Sequence, residues 1–199
     1  MIKVSATNLE AYRKYLAERI SLDALLDTIL RRSEPNNMMI KGTLFHEMMQ
    51  TSEPERYLEF FSEDCIETAR SFMDYRSPLF EVKTRKQYQT RRGIVSLTGM
   101  ADQILGNKVV EIKTRYSPIQ YETYSESLQW RVYCDVFDVL EVQYKIFEFK
   151  HVSDNDYKAC AFFDFQAPKN NHEYVANWID SYVDFLFLMG LQNAKEVQL

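Results

Sequence analysis

Apolar positions near the N-terminus recur at three- and four-residue spacing: Leu9, Tyr12, Leu16 and Ile20, then Leu22, Leu25, Leu26 and Ile29. This spacing predicts a helix over 7–32, with Ser5, Thr7 or Asn8 as its N-cap. The polar stretch 33–37, with Pro35, ends it. Helical spacing returns over 42–50 and again over 62–73, where Ser62 stands as an N-cap. The period then changes to two. Residues 79–90, 93–105 and 108–114 alternate Val, Ile, Leu and Thr with polar positions and predict three strands. A helix over 120–138, strands over 141–150 and 157–166, and a helix over 172–191 complete the chain.

This order predicts an α/β fold, one mixed sheet flanked by helices and preceded by an N-terminal helical segment. No internal repeat and no linker-like stretch interrupts the 199 residues, so a single domain is expected. Its parts are a helical region over 1–75, a sheet core with one helix over 76–166, and a C-terminal helix within 167–199. The longest near-apolar run, Phe185 to Leu191, is far short of the roughly 20 residues that a membrane span needs. No secretory or transit pattern opens the sequence, and Cys65, Cys134 and Cys160 are too few and too scattered for a disulfide framework. The expectation is a cytoplasmic protein with reduced thiols, in a bacterial or phage-infected cell.

Charge sharpens this picture. The chain has 24 Lys and Arg against 29 Asp and Glu, a net charge of −5, which disfavours a protein that coats nucleic acid. The segment from Lys83 to Arg115 opposes that average. It carries Lys83, Arg85, Lys86, Arg91, Arg92, Lys108, Lys113 and Arg115 against Asp102 and Glu111. A basic island on an acidic body can guide a polyanion to one place. Arg85, Lys86, Arg91, Arg92 and Arg115 are therefore candidate phosphate contacts.

The same island holds a paired-carboxylate pattern. Leu105-Gly106-Asn107-Lys108 reads as a two-residue hairpin turn with Gly at its first central position. That register places Asp102 directly opposite Glu111 on one face, with Cβ atoms roughly 5 Å apart. Like charges facing across a ladder are destabilising, so a bound cation is the natural compensation. Paired oxygens suit a hard divalent ion such as Mg²⁺ or Mn²⁺. Lys113 follows Glu111 by two and shares its face, while Ile112 points to the opposite face, towards a helix layer. No Ser or Cys triad and no phosphate-cradling glycine loop is present, which excludes acyl transfer and P-loop chemistry.

Four segments now align with a known pattern. Gly42-Thr43-Leu44-Phe45-His46, Gly99-Met100-Ala101-Asp102, Glu111-Ile112-Lys113 and Gln129-Trp130-Arg131-Val132-Tyr133 resemble, in order, the GxxxH, GxxD, (D/E)xK and QxxxY motifs of RecB-like nucleases. These nucleases belong to the PD-(D/E)XK, restriction-endonuclease-like superfamily. The resemblance implies that His46, Asp102, Glu111 and the Ile112 carbonyl ligate Mg²⁺ or Mn²⁺. It also implies that Lys113 orients or activates the attacking water, and that Gln129 and Tyr133 support the site and contact DNA. Gln50 stands where some relatives carry a further acid, and three dispersed cysteines do not supply the four that an iron–sulfur version needs.

The activity so implied is a metal-dependent DNA exonuclease acting on single-stranded or duplex ends in recombination, repair or replication. Its partner is DNA, with a single-strand-binding or annealing protein as a further candidate. A flap- or branch-cutting endonuclease and a nuclease-fold DNA-binding subunit with little catalysis are the alternatives.

Overall fold

A computed structural model describes residues 1–75 and 79–194. The expected boundary at 75/76 and the last part of the C-terminal region, 195–199, thus fall at or outside the described residues. The first element is a strand that helical spacing did not predict: β1 (Ile2–Ser5). It runs directly into α1 (Ala6–Leu16), with Ser5 ending the strand and capping the helix. The Ser5 hydroxyl accepts from the Asn8 amide at 3.1 Å. The expected helix over 7–32 is two helices. Glu18 adopts a left-handed backbone and Ser21 opens α2 (Leu22–Ile29), its hydroxyl accepting from the Ala24 amide.

α3 (Asn37–Gln50) begins at Asn37 rather than Gly42, because the Asn36 side chain caps it through the Met39 amide at 3.0 Å. Met38, Met39 and Ile40 are exposed on this extra turn, so no buried stripe marked it. A short 3₁₀ turn (Pro54–Tyr57) precedes α4 (Glu63–Ser71), which Ser62 caps as expected.

The central strands lie where the alternation placed them: β2 (Phe80–Thr90), β3 (Gly93–Leu105) and β4 (Lys108–Arg115). The expected helix over 120–138 is interrupted, giving α5 (Tyr121–Ser125) and α6 (Leu128–Val136), with Ser127 as the cap of the second. β5 (Glu141–Glu148), β6 (Ala159–Gln166) and α7 (Asn171–Leu188) follow.

The six strands form one mixed sheet. β2 runs antiparallel to β3 along nearly all of one edge. The other edge of β3 is divided: β1 pairs with it in parallel at 95–98, and β4 pairs antiparallel at 103–105. β5 continues parallel to β4, and β6 closes the sheet antiparallel to β5.

Helices cover both faces. The larger core joins sheet residues such as Leu97 and Tyr144 to α1, α2, α6 and α7 through Leu9, Leu25, Val132 and Tyr182. A smaller core packs α3 and α4 on Ile112, Phe147 and Phe149, so Ile112 does point into a helix layer. The expected mixed sheet flanked by helices is the observed architecture, corrected by one strand in the N-terminal segment.

Candidate active site

The divided edge of β3 creates a fork. Between the two partners, residues 99–102 have neither β1 nor β4 laddered against them. The hairpin register is the expected one: Leu105 faces Lys108, Ile104 faces Val109, and Gln103 faces Val110. Gly106 takes φ 58°, the left-handed conformation the turn requires. The next pair in register is Asp102 and Glu111, and there the ladder stops.

Side chains take over from the ladder at this point. Continued pairing would give the Ile112 amide to the Ala101 carbonyl. Instead it donates to Asp102 Oδ2 at 2.7 Å, while the Asp102 amide donates to Glu111 Oε1 at 3.4 Å. A strand residue directs its N–H and C=O to the same side, so the Ile112 carbonyl also faces the fork. Lys113 Nζ donates to Glu111 Oε2 at 2.7 Å. His46, one turn after Gly42 on α3, brings Nδ1 within 3.3 Å of Asp102 Oδ1.

The electrostatics divide the two acids. Glu111 is 2% exposed, and burial, reinforced by the nearby Asp102 charge, pushes its carboxyl up to about 7 against the pull of Lys113. Burial acts on Asp102 in the same sense. There the His46 hydrogen bond, the Lys113 charge and the Ile112 amide outweigh it and hold the carboxyl below its ordinary range. Burial alone would discharge Lys113, but Glu111 and Asp102 keep its pKa raised and its ammonium charged.

α6 supplies the wall behind the fork. Tyr133 donates its hydroxyl to the Met100 carbonyl at 2.9 Å, satisfying an oxygen on the unladdered stretch. Gln129, one turn earlier, donates to that hydroxyl at 2.8 Å, and the Tyr144 hydroxyl donates to Gln129 Oε1 at 3.5 Å. Two glycines let the helices approach. A Cβ at Gly42 would lie 2.8 Å from Thr114 Oγ1, and one at Gly99 would lie 2.9 Å from Phe137 Cε2. The glycines of the first two motifs therefore mark helix-to-strand approach distances.

These groups line a cavity of about 420 Å³. Its floor is the face of β3 and β4 carrying Thr98, Met100, Asp102, Glu111 and Lys113. Lys83 and Arg85 of β2 form one rim, and the first turn of α1 forms another. Asp102, Glu111, Lys113, His46, Gln129, Tyr133 and Arg85 are thus brought to one place.

Lys86, Arg91 and Arg92 are not brought there. Period two turns Lys86 to the opposite face from Arg85, where its ammonium pairs with Asp135 Oδ1 at 2.7 Å. Arg91 binds Asp180 and Asp184, and Arg92 binds Asp184, so both fasten the β2–β3 turn to α7. Arg115 lies beyond Lys113 and contacts the Tyr124 and Ser117 hydroxyls.

The structure adds Lys3, Ser5 and Arg31 to the cavity walls, beside Lys83 of the basic island. Lys3 and Ser5 sit on the undetected strand. The alternation of Ile2 and Val4 was its signal, too short to stand out beside a long helical pattern.

No three His, Cys, Asp or Glu side chains among the described residues form a ready-made metal site. The donor set nonetheless suits a hard divalent ion: two carboxylates at the fork, an imidazole, and a main-chain carbonyl on the same side. Water or phosphate oxygen would complete the coordination.

No protein-family model and no curated protein matches the sequence. Solved structures do match in fold. The crystal structure of SSO0001 is 14% identical with a TM-score of 0.55, covering 93% of this chain and 77% of that one. The alkaline exonuclease LHK-Exo from Laribacter hongkongensis, also solved in complex with dAMP, is 15% identical with a TM-score of 0.54, covering 94% and 89%. A phage-related exonuclease from Haemophilus somnus 129PT is 11% identical with a TM-score of 0.50, covering 94% and 96%. The six-stranded mixed sheet with helices on both faces is therefore the fold of these exonucleases, and the fork of Asp102 and Glu111 lies within it.

Proposed function

We propose that the protein is a metal-dependent DNA exonuclease that hydrolyses phosphodiester bonds at DNA ends. The observation that carries this reading is the fork itself, where two carboxylates and a charged lysine converge in a cavity with a basic rim. Asp102, Glu111, the Ile112 carbonyl and His46 would hold Mg²⁺ or Mn²⁺. Bound there, the ion would supply positive charge to the scissile phosphate and lower the pKa of a water. The two exonuclease neighbours support a nuclease acting on DNA.

The chain's own groups have separable tasks. Lys113, held by Glu111, presents a fixed ammonium where negative charge grows as the water oxygen bonds to phosphorus. The P–O3′ bond breaks, and the water's proton is lost as the leaving oxygen gains one. Lys83 and Arg85 lie on the sheet face that carries Asp102 and are placed to hold the flanking phosphates. Gln129 and Tyr133 keep β3 in position by filling the bonds the fork leaves open.

The test is release of mononucleotides from end-labelled linear DNA in Mg²⁺ or Mn²⁺, set against a covalently closed circle. Release from linear DNA with the circle intact is expected. Cutting of the circle or of flap junctions at equal rate would replace this reading with that of an endonuclease, and no cleavage of any substrate would leave a DNA-binding subunit.

A further inference from the structure

A separate cavity, of about 300 Å³, lies against the face of α3 turned away from the fork. Asn37, Ile40, Lys41 and Leu44 recur at three and four and form its helical wall. His46 follows Leu44 by about half a turn and so faces the other way, and the two cavities share no lining residue. Glu59 and Phe60, just after the 3₁₀ turn, form a second wall. Val152, Ser153 and Asn155, between β5 and β6, form a third.

Lys41 gives this cavity its chemistry. The residue is only 7% exposed. Its ammonium donates to the Phe60 carbonyl at 3.3 Å and to the Asp154 carbonyl, and the Phe61 and Phe149 ring centres lie 5.0 and 5.5 Å away. Among the described residues no carboxylate forms an ion pair with it. Burial draws its pKa down, against the pull of the Asp154 and Asp156 charges. A buried charge without a paired counter-charge is costly, and carbonyl dipoles and ring faces bring no negative charge to cancel it. An anion in the cavity would supply that charge.

The other walls define what the anion is attached to. Ile40, Leu44, Phe60 and Val152 offer apolar surface to a large apolar group. The side-chain amides of Asn37 and Asn155 can each donate and accept, as a peptide group requires. Glu59 is exposed on the wall and repels any further negative charge, which disfavours a phosphate chain or an acidic tail. The complement of these groups is a single carboxylate beside an apolar side chain, preceded by a peptide bond.

We infer that this cavity captures the C-terminus of a partner protein whose chain ends in a large apolar residue. The terminal carboxylate sits on Lys41, the last side chain lies between Leu44, Phe60 and Val152, and the preceding peptide group meets Asn37 or Asn155. The partner is thereby held on the side of α3 away from the fork, and the first cavity stays open. This inference goes beyond the nuclease reading and does not depend on it.

The experiment titrates N-acetyl-glycyl-leucyl-phenylalanine into the protein by calorimetry. The same peptide amidated at its C-terminus, free phenylalanine and inorganic phosphate are separate arms. The free acid should bind at least about tenfold more tightly than any of the three. Ser153 is exposed, so Ser153→Trp can fill the cavity from outside the core, and Ser153→Ala is the control. Ser153→Trp should weaken binding of the acid by about tenfold or more, while Ser153→Ala stays within about threefold. DNA cleavage should stay within about threefold of wild type in both. If Ser153→Trp melts more than about 5 °C below wild type, Ile40→Glu, which brings a carboxylate to Lys41 from a half-exposed position, becomes the deciding variant.

No binding of the acid overturns the assignment, as does undiminished binding in the deciding variant. Equal binding of the amide would remove the carboxylate from the account. Equal binding of phenylalanine would make the cavity an amino-acid site, and equal binding of phosphate a simple anion site, and either result also overturns it. A matching loss of DNA cleavage in Ser153→Trp would do so too, because the cavity would then belong to the fork.

Discussion

The Ile112 amide donates to the Asp102 carboxylate across 2.7 Å, at the position where the hairpin register would have given it the Ala101 carbonyl. The acid is thereby fixed by main chain and not by rotamer preference alone. Its partner Glu111 is fixed likewise, with the Asp102 amide on one oxygen and Lys113 on the other. Groups held in place before substrate arrives need little reorganisation during the reaction.

Charge, not shape, is what Asp102→Asn removes, because the amide oxygen of Asn can still accept from Ile112. Asp102→Asn and Glu111→Gln should each lower DNA cleavage by about a hundredfold or more while the protein stays folded. Mg²⁺ or Mn²⁺ should raise the melting temperature of wild type and not of these variants, since an ion that binds only the native state stabilises it. Steady cleavage rates in either variant would refute the assignment of the acids.

The arginines and lysines of the basic island should fall into two classes. Lys83→Ala with Arg85→Ala should weaken DNA binding and flatten its dependence on salt, because both groups rim the cavity. Arg91→Ala with Arg92→Ala should leave DNA affinity nearly unchanged. Its effect should be a small loss of stability, since solvent screens these exposed ion pairs, as the β2–β3 turn loosens from α7. Titrations at several salt concentrations, alongside thermal melts, separate the classes.

Asp135 should set an acid limit on stability. Burial works against its charge, but hydrogen bonds from Lys86, Tyr88 and His172 outweigh burial and hold its carboxyl below the ordinary range. A depressed folded pKa stabilises the protein above the unfolded value of about 3.9, and the benefit disappears as pH falls through the folded value. Asp135→Asn should therefore cost about 1–3 kcal/mol at pH 7, and the difference from wild type should shrink below about pH 4. Denaturant unfolding at pH 7 and pH 3.5 checks this, and a constant difference would contradict it.

Gly42→Ala would improve helix propensity by at most about 1 kcal/mol. Its Cβ would nevertheless meet Thr114 Oγ1 at 2.8 Å and push α3 off β4. A net loss of about 1–3 kcal/mol is expected from overpacking. Cleavage should fall further than stability alone explains, because His46 rides on the displaced helix. The double variant with Thr114→Ala should recover both.

The acid–lysine hairpin was legible because its information is local: a turn with glycine, a two-residue period and a separation of nine positions between the acids fix where Asp102, Glu111 and Lys113 point. Elements whose ends depend on caps were less so. Ser21, Asn36 and Ser127 each started a helix that apolar spacing had merged or begun late. Arg85 and Lys86 looked equivalent as neighbouring charges, yet the strand period sends one to the cavity and the other to Asp135. The partners of Arg91 and Arg92 lie 89 and 92 residues onward, at a distance that composition cannot reveal.

The split edge of β3 also orders the protein's assembly in time. The β3–β4 hairpin closes a short loop, whereas pairing Ile2 with Val95 closes one spanning almost half the chain. Short loops form in microseconds and long-range pairings arrive later. Until β1 docks, residues 95–98 remain an open strand edge, and such an edge can recruit the wrong partner. The acids of the fork are thus brought together early and locally, while the α1 roof above them, carried in behind β1, is a late arrival.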